Sequence, residues 1–166
     1  MDPGHAGGGD QPIGDRNPTD RGRIPRWVPY FNAMAKPLLA LGVPMGPDIL
    51  ITVRGRKTGL PRTTPVTICE YGGRRGFISP FGETNWARNL RAAGTATIRL
   101  GRRRETVQTV ELNQEQAAGF VREVIVPIAR RSRFGNWFVR KVDKLDIDNP
   151  DRAVVGRPVF EIISPK

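Results

Sequence analysis

A cluster of cations around flexible backbone is the part of this sequence best suited to chemistry. Between two stretches that are typical of strands, a turn carries four cations, Arg54, Arg56, Lys57 and Arg62. Arginine offers a planar fork that matches phosphate oxygens in pairs, and lysine adds a compact point charge. The neighbouring Gly55 and Gly59 would let backbone N–H groups approach an anion closely. The turn therefore predicts a grip for a phosphate-bearing ligand, with a merely solvated hairpin as the alternative.

The positive charge of the protein is concentrated in the same region. The 166-residue chain has a formal net charge of +11. Residues 54–104 hold 12 basic and 2 acidic side chains, whereas residues 1–53 are neutral overall and 105–166 carry +1. A field focused on one third of the chain favours an anionic partner, either a phosphorylated cofactor, nucleic acid or an anionic membrane. We expect no nucleic acid, because the basic segment lacks interleaved exposed aromatic side chains and offers only Tyr71, Phe77, Phe81 and Trp86 for base stacking.

The chain contains almost no residues that could support other catalytic chemistries. His5, the only histidine, lies in a Gly- and Pro-rich stretch, and Cys69, the only cysteine, lies in an apolar strand pattern. A histidine base, a disulfide framework and a metal site are therefore not expected. Residues 1–24 are predicted to be a disordered tail without the apolar segment of a signal peptide. We expect a cytoplasmic protein, with peripheral contact to an anionic membrane as an open alternative.

The elements that must position the turn are typical of a small antiparallel barrel. Residues 25–166 form one predicted domain, which opens with an amphipathic helix over 25–41. The six predicted strands are 48–54, 63–71, 76–80, 95–100, 105–112 and 158–163. Most of them are joined as hairpins, and no strand–helix–strand alternation appears. The pattern therefore predicts an α+β barrel with flanking helices rather than a doubly wound parallel sheet.

Two helices are predicted between and after these strands. The first covers residues 85–93, with Thr84 as its N-cap and Gly94 just beyond its end. The second opens with a capping box and is predicted to end at Val126, before Pro127, and residues 128–144 are predicted to be partly helical. The three arginines at 102–104 are predicted to lie at a hairpin tip, and residues 146–158 are predicted to be a loop.

Two motifs in this order resemble the deazaflavin-dependent nitroreductase family of actinobacteria. They are GRKTGLPRTTPV at 55–66 and NWARNLRAAGTATIRLG at 85–101. Family members pair a G-R-K-[ST]-G-x-P-R-x-x-P turn with a W-x-x-N-L-x-A-x-P helix, and the resemblance covers about residues 48–112. It implies a split β-barrel of the FMN-binding type, with about six strands and flanking helices. It also implies coenzyme F420 as the cofactor, with FMN as the alternative.

The resemblance implies that particular residues form a cofactor site. Arg56, Lys57 and Arg62 would bind the coenzyme's phosphate and the start of its polyglutamate tail. Ser79 would lie near the deazaflavin ring as the catalytic group, its hydroxyl facing the oxygen where charge develops. The full set of implied cofactor-binding residues is Arg56, Lys57, Thr58, Arg62, Thr64, Pro65, Ser79, Asn85, Trp86 and Asn89.

The implied activity is hydride transfer from the reduced deazaflavin to an electrophilic small molecule, such as a quinone, a nitroaromatic or an activated alkene. Relatives use tyrosines in the C-terminal region, where this chain has Phe134, Trp137 and Phe138. Two alternatives stay open: the same barrel loaded with FMN or haem, and an F420-binding protein without turnover. The sequence does not choose between a monomer and a homodimer, and it does not name the acceptor.

Overall fold

The computed structural model describes residues 48–100, 102–131 and 145–163, together with Ala33, Lys36 and Pro37, which are helical and exposed. The predicted tail over 1–24, the rest of the predicted 25–41 helix and the aromatic run 134–138 lie outside the described residues. The division into a tail and a single domain therefore stays a prediction.

The described part of the chain forms a closed antiparallel barrel. Its six strands are β1 (Asp48–Arg54), β2 (Pro61–Tyr71), β3 (Arg74–Ile78), β4 (Thr95–Leu100), β5 (Arg103–Glu111) and β6 (Val159–Ile163). They close in the order β1-β2-β3-β6-β5-β4, and every neighbouring pair is antiparallel. Closure removes the sheet edges that would otherwise pair with other chains. The predicted fold class, an α+β split barrel with flanking helices, is confirmed.

Strand alternation divides the buried side chains into two cores. On β2, Val66 faces one core while Cys69 faces the other, as a two-residue period requires. The core inside the barrel contains the fully buried Ile51 and Phe77. The second core lies between the outer wall and the C-terminal helices, and Cys69 is one of its buried members. The apolar cysteine is therefore a packing residue.

Four α-helices flank the barrel in the described residues: α1 (Asn85–Ala93), α2 (Gln114–Phe120), α3 (Val126–Arg131) and α4 (Pro150–Ala153). The predicted bounds of α1 are confirmed, and Gly94 ends it with a left-handed φ of 65°. The predicted capping box at the start of α2 is also confirmed, since Asn113 and Gln116 each accept a hydrogen bond from the other's backbone N–H.

The predicted helix end before Pro127 is wrong. A π-helical turn, Val121–Ile125, joins α2 to α3, so the helical run continues through Pro127 to Arg131. Proline lacks an N–H, and its ring normally clashes with the carbonyl four residues earlier. In the π turn the N–H of Val126 instead bonds to the carbonyl of Val121, five residues back. This wider turn directly before the proline explains how the helix continues.

Several other predicted boundaries shift, and strands β2, β3 and β5 each begin two residues earlier than predicted. Strand β5 begins at Arg103, so Arg103 and Arg104 pair with Leu100 and Arg99 instead of lying at a hairpin tip. Strand β3 ends at Ile78, which leaves Ser79 in the loop that follows it. The stretch predicted as a loop over 146–158 contains the short helix α4.

Candidate functional site

One end of the barrel gathers the basic turn, the loop that follows β3 and helix α1. Strand β1 runs into the turn at Arg54, which pairs with Pro61 where β2 leaves the turn. Strand β3 runs in the same direction as β1, so its loop, 79–84, emerges at the same end. We call this the turn end, made of residues 55–60, 79–84 and α1. Antiparallel topology thus brings together segments that lie about thirty residues apart.

The glycines of the turn shape its backbone. The N–H of Gly55 donates to the carbonyl of Leu60, and the N–H of Gly59 donates to the carbonyl of Gly55, both at 2.8 Å. Gly59 has a φ of +69°, and a Cβ at Gly55 would stand 3.0 Å from the Leu60 oxygen. These N–H groups are therefore engaged within the protein. Neither glycine N–H is free to bind an anion, whereas the side chains of Arg56 and Lys57 are exposed beside them.

Asn89 of α1 fastens the turn to the helix. Its side-chain oxygen accepts a hydrogen bond from the Arg56 backbone N–H at 3.2 Å and another from Arg56 Nη1 at 2.8 Å. Asn89 is only 7% exposed, whereas Arg56 is exposed. Because one buried oxygen accepts from both the backbone N–H and the guanidinium of Arg56, it fixes the direction of this side chain. The buried amide itself loses little further conformational entropy in doing so. The resemblance predicted Asn89 as a cofactor contact, and in this geometry it first positions Arg56.

The remaining predicted residues of the turn and β2 divide between two faces. Lys57 and Thr58 are exposed in the turn. Arg62 and Thr64 pair with Val53 and Ile51, whose side chains lie in the inner core. Both therefore lie on the inward face of β2, with Arg62 exposed at the rim of the turn end.

Pro65 is separated from that group. It pairs with Leu50 on the opposite, outward face of β2. The structure thus brings Arg56, Lys57, Thr58 and Arg62 to one end of the barrel, with Thr64 farther along the same face of β2, opposite the middle of β1. It does not bring the Pro65 side chain to the same face.

Ser79 is a fully buried residue of the loop after β3. Its hydroxyl donates to the carbonyl of Gly82 at 2.6 Å and lies 2.9 Å from the hydroxyl of Thr84. Since a serine has a single hydroxyl proton, Thr84 must donate to Ser79. The exposed fraction of Ser79 is 0%, so its hydroxyl has no solvent-facing surface in this conformation. The geometry gives it a direct role in shaping the loop.

The start of α1 keeps its N–H groups available. Thr84 occupies the N-cap position but makes no capping hydrogen bond, because its hydroxyl is turned toward Ser79. An uncapped helix start presents backbone donors and a favourable dipole to an anion. Asn85 is exposed there, and the half-buried ring of Trp86 lies 6.0 Å from that of Phe160.

A charged clamp that the sequence did not reveal holds α1 in place. Arg91, in the last turn of α1, bonds to Glu83 before the helix at 2.6 Å and also to Glu111 at the end of β5. The hydrogen bond from Arg91 lowers the pKa of Glu83. Glu83, Arg91 and Glu111 lie far apart in sequence. Only their opposite charges indicated that they could form ion pairs.

The cations of the turn differ from Arg91 in their partners. Within the described ranges, Arg56, Lys57 and Arg62 form no ion pair with a carboxylate. All three are exposed at the turn end. Three cations without internal counterions leave a local positive field for a ligand to neutralise. The arrangement therefore fits a phosphate-bearing cofactor, with side chains in place of backbone N–H groups as donors.

The described residues hold neither a cluster of metal ligands nor a membrane-spanning helix. In residues 48–100, 102–131 and 145–163, no three His, Cys, Asp or Glu side chains converge as metal ligands would. No helix among the described residues combines the length and apolarity needed to cross a bilayer.

The sequence model of the F420H(2)-dependent quinone reductases matches residues 24–136, more than half of the chain. The chain belongs to this family. The predicted reaction class, an F420-dependent oxidoreductase acting on a quinone-like small molecule, is thereby confirmed, and so is coenzyme F420 as its cofactor. No curated protein matches the chain.

The solved structures that resemble this chain share little sequence identity with it. A structure described as a domain-swapped dimer is 18% identical with a TM-score of 0.46, over 81% of this chain and 98% of that one. An F420-H2-dependent reductase is 18% identical with a TM-score of 0.45, over 70% and 94%. A pyridoxamine 5'-phosphate oxidase-related, FMN-binding protein from Nostoc punctiforme is 9% identical with a TM-score of 0.45, over 84% and 81%.

Proposed function

We propose that the turn end holds reduced coenzyme F420 and presents it to a quinone-like acceptor. Arg56, Lys57 and Arg62 would bind the phosphate, and Thr58 and Thr64 would supply hydroxyl donors beside them. The observation that carries this proposal is the set of three exposed cations without carboxylate partners, one of which is fixed by the buried Asn89.

The start of α1 is the second part of the proposed site. Asn85 and Trp86 lie beside the uncapped N–H groups of the helix. Such donors can stabilise negative charge that develops on an acceptor oxygen, because they are already oriented before the reaction. When bound, reduced coenzyme F420 supplies the hydride, and the protein contributes position and electrostatics.

We propose a positioning role for Ser79. Its hydrogen bonds to Gly82 and Thr84 shape the loop that leads into α1. A Ser79→Ala variant would therefore lower acceptor turnover through the loop, and a change in the melting temperature would accompany the change in kcat. A Ser79 that contacts the acceptor directly would instead change kcat alone.

A binding titration followed by an oxidation assay tests the proposed function. The purified protein is titrated into coenzyme F420 while the coenzyme's fluorescence is recorded, and FMN is titrated in parallel. A panel of quinones is then added to the protein with the reduced coenzyme. We expect saturable F420 binding and quinone-dependent oxidation. Tight FMN binding without F420 binding would overturn the proposal.

A second candidate is an F420-binding protein without turnover. It is favoured by the sequence, in which Tyr71 is the last tyrosine, so the C-terminal region offers no phenol as a proton donor. Stopped-flow mixing of the bound reduced coenzyme with quinones separates the two. Oxidation no faster than in a protein-free control would favour the binding protein.

Peripheral membrane contact is a separate proposal. Leu60, 59% exposed, lies in the turn among the cations, and an exposed leucine with basic neighbours suits an anionic bilayer surface. Co-sedimentation with anionic and neutral vesicles tests it, and equal retention by both would contradict it. A cytoplasmic location, the absence of a nucleic-acid partner and the choice between monomer and homodimer stay predictions.

A further inference from the structure

The loop between β3 and α1, residues 79–84, is held by contacts from two sides. On the α1 side, Glu83 pairs with Arg91 at 2.6 Å. On the β6 side, the N–H of Ser79 donates to the carbonyl of Pro158 at 2.9 Å. Pro158 has no N–H to return, so the backbone pairing of β3 with β6 ends at this point. Further support of the loop from the β6 side must therefore come from a side chain.

Arg157 is the side chain that reaches the loop from this side. Its Nε atom donates to the carbonyl of Pro80 at 2.9 Å, and its Nη1 atom donates to the carbonyl of Ala153 at 2.8 Å. Pro80 is the second residue of the loop, and Ala153 is the last residue of α4. Because the guanidinium is rigid and planar, it holds the two carbonyls in a fixed relation. One partly buried arginine therefore ties the loop to α4.

The α4 end of this tie belongs to the outer core. Ala153 and Val154 are buried there among the C-terminal helices. The backbone N–H of Arg157 donates to the carbonyl of Val154 at 3.0 Å. Gly156, with a φ of +67°, provides the left-handed turn that brings Arg157 back against α4. The direction of the guanidinium is therefore fixed by a packed part of the protein, onto which the loop is docked.

The loop in turn determines where α1 begins. Thr84, its last residue, turns its hydroxyl toward Ser79 and leaves the first N–H groups of the helix uncapped. A displaced Pro80 would move these donors, because only three residues separate it from Thr84. The basic turn is instead attached to the second turn of α1, through Asn89. A change at Pro80 should therefore affect the donors at the start of α1 more than the cations that bind the phosphate.

We propose that Arg157 is a positioning residue for reduction of the acceptor. By holding the Pro80 carbonyl, it keeps the first N–H groups of α1 directed at the quinone oxygen that becomes negative as the quinone accepts the hydride. The inference rests on the proposed function, because it requires the acceptor to lie at the start of α1. Arg157 acts through the loop and contacts neither the coenzyme nor the acceptor.

A single-turnover experiment separates this role from a purely structural one. The protein is saturated with reduced coenzyme F420 and mixed with saturating quinone in a stopped-flow instrument, and the absorbance of the oxidised coenzyme is followed. The amplitude measures how much of the protein is folded and loaded, whereas the rate constant depends on the geometry of the site. Coenzyme affinity is measured separately by fluorescence titration.

Three variants are compared with the wild type. Arg157→Met keeps an apolar stem and removes both donors, and Arg157→Lys keeps the charge without the planar fork. Arg152→Gln, at an exposed position of α4, is the matched control. We expect the rate constant to fall about tenfold in Arg157→Met and about threefold in Arg157→Lys, and to keep its wild-type value in Arg152→Gln. Coenzyme affinity should stay within about twofold of the wild-type value in all three.

An unchanged rate constant in Arg157→Met, with only a smaller amplitude or a lower melting temperature, would overturn the positioning role. If that variant does not fold, an unchanged rate constant in Arg157→Lys has the same meaning. A coenzyme affinity that falls as far as the rate constant would also overturn it, because Arg157 would then act on the phosphate grip. Wild-type protein that binds no coenzyme, or that binds it and transfers no hydride, would overturn the proposed function together with this role.

Discussion

The arginines of the basic turn and those of β3, at the other end of the barrel, serve opposite purposes. At the end away from the turn, Arg74 forms a paired contact with Glu161, at 2.6 and 2.8 Å, and a further contact with Glu123 at 2.6 Å. Arg75 holds Glu105 in the same forked manner, with both distances at 3.0 Å. Their hydrogen bonds to these carboxylates raise the pKa of both guanidiniums. Here the charges are neutralised within the fold and join strands to one another.

At the turn end, Arg56 is held by the neutral side chain of Asn89, and no described carboxylate accompanies it, Lys57 or Arg62. A neutral acceptor orients a cation without neutralising it, so the positive field remains available to a ligand. The difference teaches that the function of an arginine here follows from its partner. Carboxylate-paired arginines should govern stability, and those without a carboxylate should govern binding.

The largest expected effect comes from neutralising the three cations of the turn. Arg56→Gln/Lys57→Gln/Arg62→Gln should weaken coenzyme F420 binding at least about 100-fold, since each charged hydrogen bond contributes about 1.5–3 kcal/mol. The melting temperature should change little, because these side chains are exposed. Fluorescence titration and thermal unfolding measure the two quantities. A variant that unfolds earlier but binds normally would reverse the assignment of the two ends.

Removing the side chain that orients Arg56 should have an intermediate effect. Asn89→Ala should weaken coenzyme binding about tenfold, because the Arg56 cation remains but its backbone N–H and its guanidinium both lose the acceptor that holds them. The measurement is the same titration. Gln114→Ala, at an exposed position of α2, is the matched comparison. Equal losses in the two variants would contradict the role of Asn89 in holding Arg56.

At the opposite end, Arg74→Gln should reduce the free energy of unfolding by about 1–2 kcal/mol and leave coenzyme binding unchanged. The side chain is partly buried, bridges β3 to β6 and also lies over the Phe120 ring at 5.3 Å. Urea unfolding measures the loss. Arg122→Gln, which breaks an exposed pair with Asp151, should cost less than half as much. A tenfold change in coenzyme affinity on losing Arg74 would contradict the division between the ends.

The smallest expected effect is an acid-dependent loss of stability. Hydrogen bonds from Arg75 lower the pKa of Glu105 from its ordinary value of 4.5. A carboxyl whose pKa is lowered on folding stabilises the fold above its ordinary pKa, and this contribution is lost as the pH falls through the lowered value. Urea unfolding between neutral pH and pH about 3 should therefore show a decline that is shallower in Glu105→Gln. An identical decline in both proteins would exclude this contribution.

Local signals in the sequence predicted the elements, and tertiary contacts decided the rest. The basic turn, the bounds of α1 and the Asn113 capping box follow from residues close in sequence, and each was predictable. The passage of the helix through Pro127 depends on a π turn that no local pattern indicated. The burial of Ser79 and the use of Asn89 as an acceptor for Arg56 depend on a loop and a helix that meet only in the closed barrel.

The claim that the turn grips a phosphate is tested most directly by removing the phosphate from the ligand and the cations from the protein together. The wild type and the Arg56→Gln/Lys57→Gln/Arg62→Gln variant are each titrated with the coenzyme's deazaflavin riboside and with the phosphate ester of that riboside, two ligands that differ only in the phosphate. We predict that the wild type strongly prefers the phosphorylated ligand and that the variant binds the two ligands with nearly equal affinity. A variant that still prefers the phosphorylated ligand as strongly as the wild type does would contradict the phosphate grip.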